Sequence, residues 1–304
     1  MSTQIGRVLE YAQVDVFAER ALEGNALAVF ADGSGLTDEE MQAIARETNL
    51  SETTFILPRE EAEERERGVR VRIFTTQEEL RFAGHPTLGT ASWLFWNHPV
   101  LLGAEEIVLE LAVGPIPVRF RRDERGPGVF GTMRQNDPVF GSLHDPATIA
   151  DALGLDVADL DLDLPIQTVS TGMAFCIVPL RSMEVAARLQ IPYSRAQPYL
   201  TRSDAKFFHC ITRAPKATGA DWHARMQFYN GEDPATGSAS GCTIAYLVRH
   251  GLVASGRPIT LEQGIEMHRP SRIHVQASMT GSSVSGVFVG GRTILVAKGR
   301  LFIP

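Results

Sequence analysis

Apolar and polar positions alternate through much of the chain. In "VRVRIF", Val69, Val71 and Ile73 face one way and Arg70 and Arg72 the other, the period of two expected of a half-buried strand. The segments "QVDVFAE", "ALAVFAD" and "TTFILP" carry the same alternation or β-branched enrichment. Before "VRVRIF" lies "REEAEERERG", whose nearly unbroken charge reads as a solvated hairpin loop. A helix is predicted over "TDEEMQAIARET", where Thr37 and Glu40 have capping-box spacing and Met41, Ile44 and Ala45 line one side. A second is predicted from Pro86 through "TLGTASWLFW", because proline is favoured in a first helical turn.

The stretch "RRDERGPG", residues 121–128, is charged and then rich in glycine and proline, and reads as a linker. It divides the chain into domains 1–122 and 128–304, with the last strand free to return to the first. Beyond it strands are predicted at "IQTVSTGMAFCIVPL", "AKFFHCITR", "ARMQFY", "RIHVQAS", "SVSGVFVGG" and "RTILVAKGRLFI". A helix at "TGSASGCTIAYLVRHG" sits among them, with Gly251 as its stop signal. Each half thus has several strands and a helix entered through a turn of small residues, "FAGHPTLGTAS" in one and "DPATGSASGC" in the other. The expected fold class is α+β, with two pseudo-symmetric domains. Should the two helix N-termini face one another across a cleft, their N–H groups would attract an anion.

Composition removes several function classes. With 304 residues, 44% hydrophobic content and a net charge of −7, the chain has ample core material and no basic footprint for nucleic acid or an anionic membrane. Cys176, Cys210 and Cys242 are far apart and form no C-x-x-C pair, which reads as reduced thiols. The N-terminus lacks the pattern of a signal peptide. The most apolar run, "ASWLFWNHPVLLGA", is broken by Asn97, His98 and Pro99, too short to span a bilayer. A cytoplasmic location is expected.

The loop from Gly84 to Thr90 approximates a phosphate loop, but no lysine separates Gly89 from Thr90, and Pro86 removes a backbone donor. Ser238 and Ser240 sit at a strand-to-helix turn without G-x-S-x-G spacing, so a hydrolase built on Ser238 or Asp233 lacks an activated nucleophile. No H-x-x-x-H or H-E-x-x-H occurs, so no metal is expected. Three polar clusters remain. "NLSETTF" places Ser51 and Glu52 where a helix hands over to a strand, "FAGHP" places His85 at a helix start, and "GEDPATGSAS" places Glu232, Asp233, Thr236 and Ser238 at the other. Singly, each has a plain reading as a cap or a solvated edge residue. Together, a carboxylate, an imidazole and two anion-attracting helix ends suit acid–base chemistry on a small carboxylic acid.

The segments "VDVFAERALEGNALAVF", "NLSETTFIL", "ELRFAGHPTLGTAS", "EDPATGSAS", "QGIEMHRPSRIHV" and "VGGRTILVAKGRL" resemble, in order and over nearly the whole chain, the PhzF-like isomerases of phenazine biosynthesis. These belong with the diaminopimelate epimerase fold. The resemblance implies two similar domains, each a β-barrel-like sheet around a central helix, with the active site in the cleft between them and no metal or organic cofactor. In diaminopimelate epimerase and proline racemase relatives two cysteines shuttle the proton. Here the corresponding turns carry Gly84 and Asp233, so that mechanism is not available. Carried over by the resemblance, Glu52 moves the proton, His85 and Asp233 join it as catalytic residues, and Ser51, Gly84, Ser238, Gly237, Thr236 and Asn25 bind substrate. The implied partners are a small-molecule carboxylate and a second copy of the chain.

In a reaction of this kind the substrate is trans-2,3-dihydro-3-hydroxyanthranilate, a cyclohexadiene whose double bonds shift. Two departures lie near these residues: the compressed "QFYNGEDP" before the second turn, and Arg81 where the family commonly has proline. The alternative is a non-catalytic member that uses the same residues to bind a ligand or a protein.

Overall fold

The computed structural model describes residues 6–121, 126–214, 219–228 and 231–303. Contacts divide the chain into two units, one formed by the residues up to Met133 with the segment from Gly291 onward, the other by Arg134–Gly290. Residues 122–125 of the candidate linker lie outside the described residues.

In the first unit the alternating segments become β1 (Arg7–Val16), β2 (Asn25–Phe30), β3 (Glu52–Leu57), β4 (Val69–Phe74), β5 (Glu79–Leu80), β6 (Glu106–Leu111), β7 (Gly114–Arg121) and β8 (Val129–Arg134). The helices are α1 (Asp38–Thr48), α2 (Glu61–Arg67) and α3 (Gly84–Asn97). The second unit follows with β9 (Val139–Leu143), α4 (Pro146–Leu153), β10 (Gln167–Ser170), β11 (Ala174–Pro179), α5 (Met183–Arg188), α6 (Tyr193–Arg202), β12 (Phe207–Arg213) and β13 (Trp222–Phe228). It continues through β14 (Gly231–Asp233), α7 (Gly237–Arg249), β15 (Ile259–Gln263), β16 (Ser271–Thr280) and β17 (Ser283–Ile303). The two segments predicted at the C-terminus are one strand, which runs unbroken through Gly290 and Gly291 and pairs with β16 before them and β1 after them.

The α+β class and the pseudo-symmetry are written in the pairing. From β1 the first unit runs antiparallel to β2, parallel to β3, antiparallel to β4, parallel to β6, then antiparallel to β7 and β8. From β10 the second runs antiparallel to β11, parallel to β12, antiparallel to β13, parallel to β15, then antiparallel to β16 and β17. In the first unit β8 also pairs with β17 and β17 with β1, which closes the ring into a barrel. A closed barrel has no unpaired edge to protect. Its interior holds α3, which touches β1, β2, β3, β6 and β7, while α7 packs on β10, β11 and β16.

A helix inside a barrel must be apolar or small on every side. Accordingly α3 is buried from Gly84 through Ser92, and Gly89 marks the closest approach. A Cβ at Gly89 would stand 2.6 Å from Leu27 Cδ2 and 2.8 Å from Val16 Cγ2. Outside the barrel α1 forms as expected. Thr37 Oγ1 accepts from the Glu40 amide at 3.2 Å, Glu40 Oε2 accepts from the Thr37 amide at 2.9 Å, and Met41, Ile44 and Ala45 are buried.

Two predicted details are corrected. The charged stretch expected to be a hairpin loop contains α2, because its charges are ordered. Glu61, Glu63 and Glu64 fill the first turn, Arg65 and Arg67 the last, and Arg65–Glu61 and Arg67–Glu63 pair at i,i+4. Helix α3 begins at Gly84, with extended Ala83 as its N-cap, rather than at Pro86.

Candidate active site

In the first unit, α1 ends at Asn49, which adopts a left-handed conformation (φ 50°) and turns the chain through exposed Ser51 into β3. That turn makes Glu52 the first residue of β3, opposite Leu27 of β2. Asn25 opens β2, only 1% exposed, and Gly24 before it has φ +67° with space for no side chain, a Cβ there lying 2.3 Å from Val16 O. His85 lies in the first turn of α3 and is 5% exposed.

These elements bring Asn25, His85 and Glu52 into a row. Asn25 Nδ2 is 3.3 Å from His85 Nδ1, and His85 Nε2 is 3.3 Å from Glu52 Oε2. Burial pushes His85 down to about 3, only partly offset by the Ala26 backbone. The ring is therefore neutral at physiological pH, a fixed hydrogen-bonding group beside the carboxylate and not a charge. Gly84 stands at the start of the same helix, where Ala83 offers no side-chain cap.

In the second unit, Asp233 ends β14 and Thr236 is the N-cap of α7, followed by Gly237 and half-buried Ser238. The Thr236 hydroxyl does not cap the helix, because it donates to Asp233 Oδ2 at 2.7 Å. Gln263 at the end of β15 locks this entrance. Its Nε2 donates to Asp233 O at 2.7 Å and to Thr236 Oγ1 at 2.9 Å, and its Oε1 accepts from the Thr236 amide at 3.2 Å. Ser271 Oγ donates to Pro234 O at 2.7 Å, and Gln135 Nε2 donates to Gly237 O at 3.0 Å. Thr171 holds Gln135 Oε1 at 2.6 Å. The compressed segment before β14 includes Tyr229 and Asn230, which lie outside the described residues.

Gln263, Ser271, Gln135 and Thr171 carried no signal as site residues in the sequence. Their contacts join positions from 27 to 102 residues apart, as Gln263–Thr236 and Gln135–Gly237 do. Gln263 and Ser271 lie within the family-like segment "QGIEMHRPSRIHV".

The two helix entrances share their internal bonding. Thr87 Oγ1 donates to Ala83 O at 2.7 Å in α3, and Ser240 Oγ to Thr236 O at 2.9 Å in α7. Thr54 of β3 meets Thr90 of α3 at 2.8 Å, and His209 of β12 meets Thr243 of α7 at 2.7 Å. On this correspondence His85 matches Ser238, and Glu52, two residues before Thr54, matches Phe207. The carboxylate thus belongs to one unit alone. Cys176, Cys210 and Cys242 are buried, and burial raises all three thiols, to about 12 for Cys210 and about 11 for Cys242, which leaves them inert as nucleophiles. Among the described residues no three His, Cys, Asp or Glu side chains gather as a metal ion would require, and no helix is long and apolar enough to cross a membrane.

Known proteins share this fold and much of this sequence. The family model of the phenazine biosynthesis-like proteins matches residues 14–299. The trans-2,3-dihydro-3-hydroxyanthranilate isomerase of Pseudomonas aeruginosa is 36% identical over 301 residues, covering 96% of this chain and 99% of its own. Among solved structures, a PhzF-family protein of Bacillus anthracis superposes with a TM-score of 0.85 at 27% identity, covering 98% of this chain and 100% of its own. A predicted epimerase of Pseudomonas aeruginosa does so with a TM-score of 0.82 at 37% identity, covering 97% and 100%. With the repeated strand order, the matched span and the named relatives in agreement, the chain belongs to the phenazine biosynthesis-like, PhzF-type family and is an isomerase acting on a small molecule.

Proposed function

We propose that the chain moves a proton on a small carboxylate without a cofactor, and that trans-2,3-dihydro-3-hydroxyanthranilate, the compound acted on by the Pseudomonas relative, represents its substrate class. The Glu52 carboxylate takes a proton from the activated carbon, the electron pair moves through the conjugated double bonds, and protonated Glu52 returns the proton at another carbon. The observation that carries this reading is the row Asn25–His85–Glu52. A neutral imidazole held by a buried amide, 3.3 Å from the carboxylate, can orient it in either protonation state. Asp233, Thr236, Gly237 and Ser238 are proposed to bind polar groups of the substrate, as are Ser51 and Gly84. A cytoplasmic homodimer without nucleic-acid partners completes the proposal.

The test is turnover of that compound in D₂O, followed by NMR. The wild-type chain should produce the shifted isomer with deuterium at the new C–H position. Glu52→Gln should retain its melting temperature and lose turnover by about 10²–10⁴-fold, the range for a general acid–base group. Exchange at the wild-type rate in that variant would remove Glu52 as the base. Binding without isomerisation by the wild-type chain would instead remove this compound as a representative of its substrate class.

A further inference from the structure

Beside Asp233, and facing away from it, lies a buried charged network that the proton-moving step does not use. Strand β14 has only three residues, pairing Met226 with Asp233, Gln227 with Glu232 and Phe228 with Gly231. So short a strand supplies few backbone bonds to fix the direction of its side chains. Successive side chains point to opposite faces, so whatever holds Glu232 on one face sets the angle of Asp233 on the other. Glu232 is held by a fork: Arg225 Nε donates to its Oε1 at 2.7 Å and Nη2 to its Oε2 at 2.6 Å. Gln227 Nε2 adds a bond to Oε2 at 3.2 Å.

Arg225 is itself immobilised. It is 5% exposed, and its Nη1 donates to the carbonyls of Ala186 at 2.6 Å, Leu189 at 3.0 Å and Ala187 at 3.3 Å, at the end of α5. Those carbonyls are the electronegative end of a helix and suit a cation. Glu266 Oε2 stands 3.8 Å from Arg225 Nε, and Glu266 Oε1 is 3.1 Å from His223 Nε2, whose other nitrogen is 3.2 Å from Glu262 Oε1. Burial opposes a charge on His223, but Glu262 and Glu266 outweigh it and push it up to about 9. Two cations thus sit among three carboxylates, and the fork is braced from behind.

We propose that Arg225 is a positioning residue: through Glu232 it sets the direction of the Asp233 carboxylate for substrate. On the other face Thr236 and Gln263 hold Asp233 and its carbonyl, so the residue is gripped from both sides. This rests on the proposed substrate-binding role of Asp233, and the experiment separates the two.

The test is a double-mutant cycle on the full chain, read as kcat and KM for trans-2,3-dihydro-3-hydroxyanthranilate. Arg225→Lys keeps the charge and loses the fork, and should lower kcat/KM by about ten- to a hundredfold, the cost of a misplaced binding group. In an Asp233→Asn background the same change should cost less than about threefold, because the group it positions has already been altered. Glu232→Gln, run in both backgrounds, gives the same pattern and replaces Arg225→Lys if that variant does not fold. Loss in Asp233→Asn together with an equal effect of Arg225→Lys in both backgrounds overturns the inference and leaves the role of Asp233 standing. An Asp233→Asn variant with wild-type kcat/KM overturns that role and the inference with it.

Discussion

At the scale of single residues, His85 shows how burial selects one of several chemistries open to an imidazole. A histidine beside a carboxylate invites the reading of a proton shuttle, yet burial holds this one down at about 3. Its charge therefore does not change in any pH range where the chain would be assayed. His85→Asn, which keeps a neutral polar group of similar reach, should lower kcat/KM without altering the shape of its pH profile between about pH 5.5 and 8. Measurement of kcat/KM across that range for both proteins checks this. Loss of an ionisation near the usual histidine value in the variant would show that His85 titrates after all. Asn25→Ala belongs with it. Removing the amide 3.3 Å from Nδ1 leaves the ring with the Ala26 backbone as its remaining support on that side, and should reduce kcat by about tenfold while the fold survives. Far-UV circular dichroism beside steady-state kinetics separates those two effects.

At the scale of elements, local chemistry was legible and long-range bonding was not. The α1 capping box, the strands of alternating period and the small-residue entrances to α3 and α7 all follow from neighbours within a few positions. So does the placing of Glu52 and His85, which the fold brings within 3.3 Å, as polar residues beside small ones. The α2 stretch misled because charge was counted without its order: acids first and bases last stabilise a helix, where a mixed run would leave a loop. The Gln263 and Gln135 clamps were invisible because nothing near them in the chain demands an amide, while their partners are brought close only by the fold. Gly89 is a case where the element explains the residue. The helix lies so near β1 and β2 that a methyl group at Gly89 must displace Leu27 and Val16, both fully buried. Gly89→Ala should therefore destabilise the protein by about 1–3 kcal/mol despite raising helix propensity. The shift of the urea midpoint measures it, and a variant as stable as wild type would mean the helix can move outward.

At the scale of the whole molecule, the buried histidines set the pH dependence of stability, and they pull in opposite directions. His85 and His209, held at about 3 and about 4 by burial, stay neutral in the folded chain while an unfolded histidine takes up a proton near 6.5. Between those values the unfolded state binds more protons, so their contribution is complete above 6.5 and is lost as pH falls toward 4 and 3. His223, raised to about 9 beside Glu262 and Glu266, reverses the sign. The folded state holds the proton that the unfolded state has released, so its contribution is complete below 6.5 and is lost as pH rises through 9. Within its window each group changes stability by up to about 1.4 kcal/mol per pH unit. The three buried thiols add a further decline above 9, where unfolded cysteines ionise first. Stability from urea unfolding should accordingly peak near pH 6.5 to 7 and fall on both sides. The same titration on His223→Gln tests the alkaline side: the fall between 6.5 and 9 should flatten, while the acid side steepens less as pH drops, because Glu266 loses the partner that holds its carboxyl below the ordinary value. A wild-type chain whose stability holds level from about pH 7 to 9 would mean that His223 does not carry its charge in the folded state, and the bracing of Arg225 would then have to come from Glu232 and the α5 carbonyls alone.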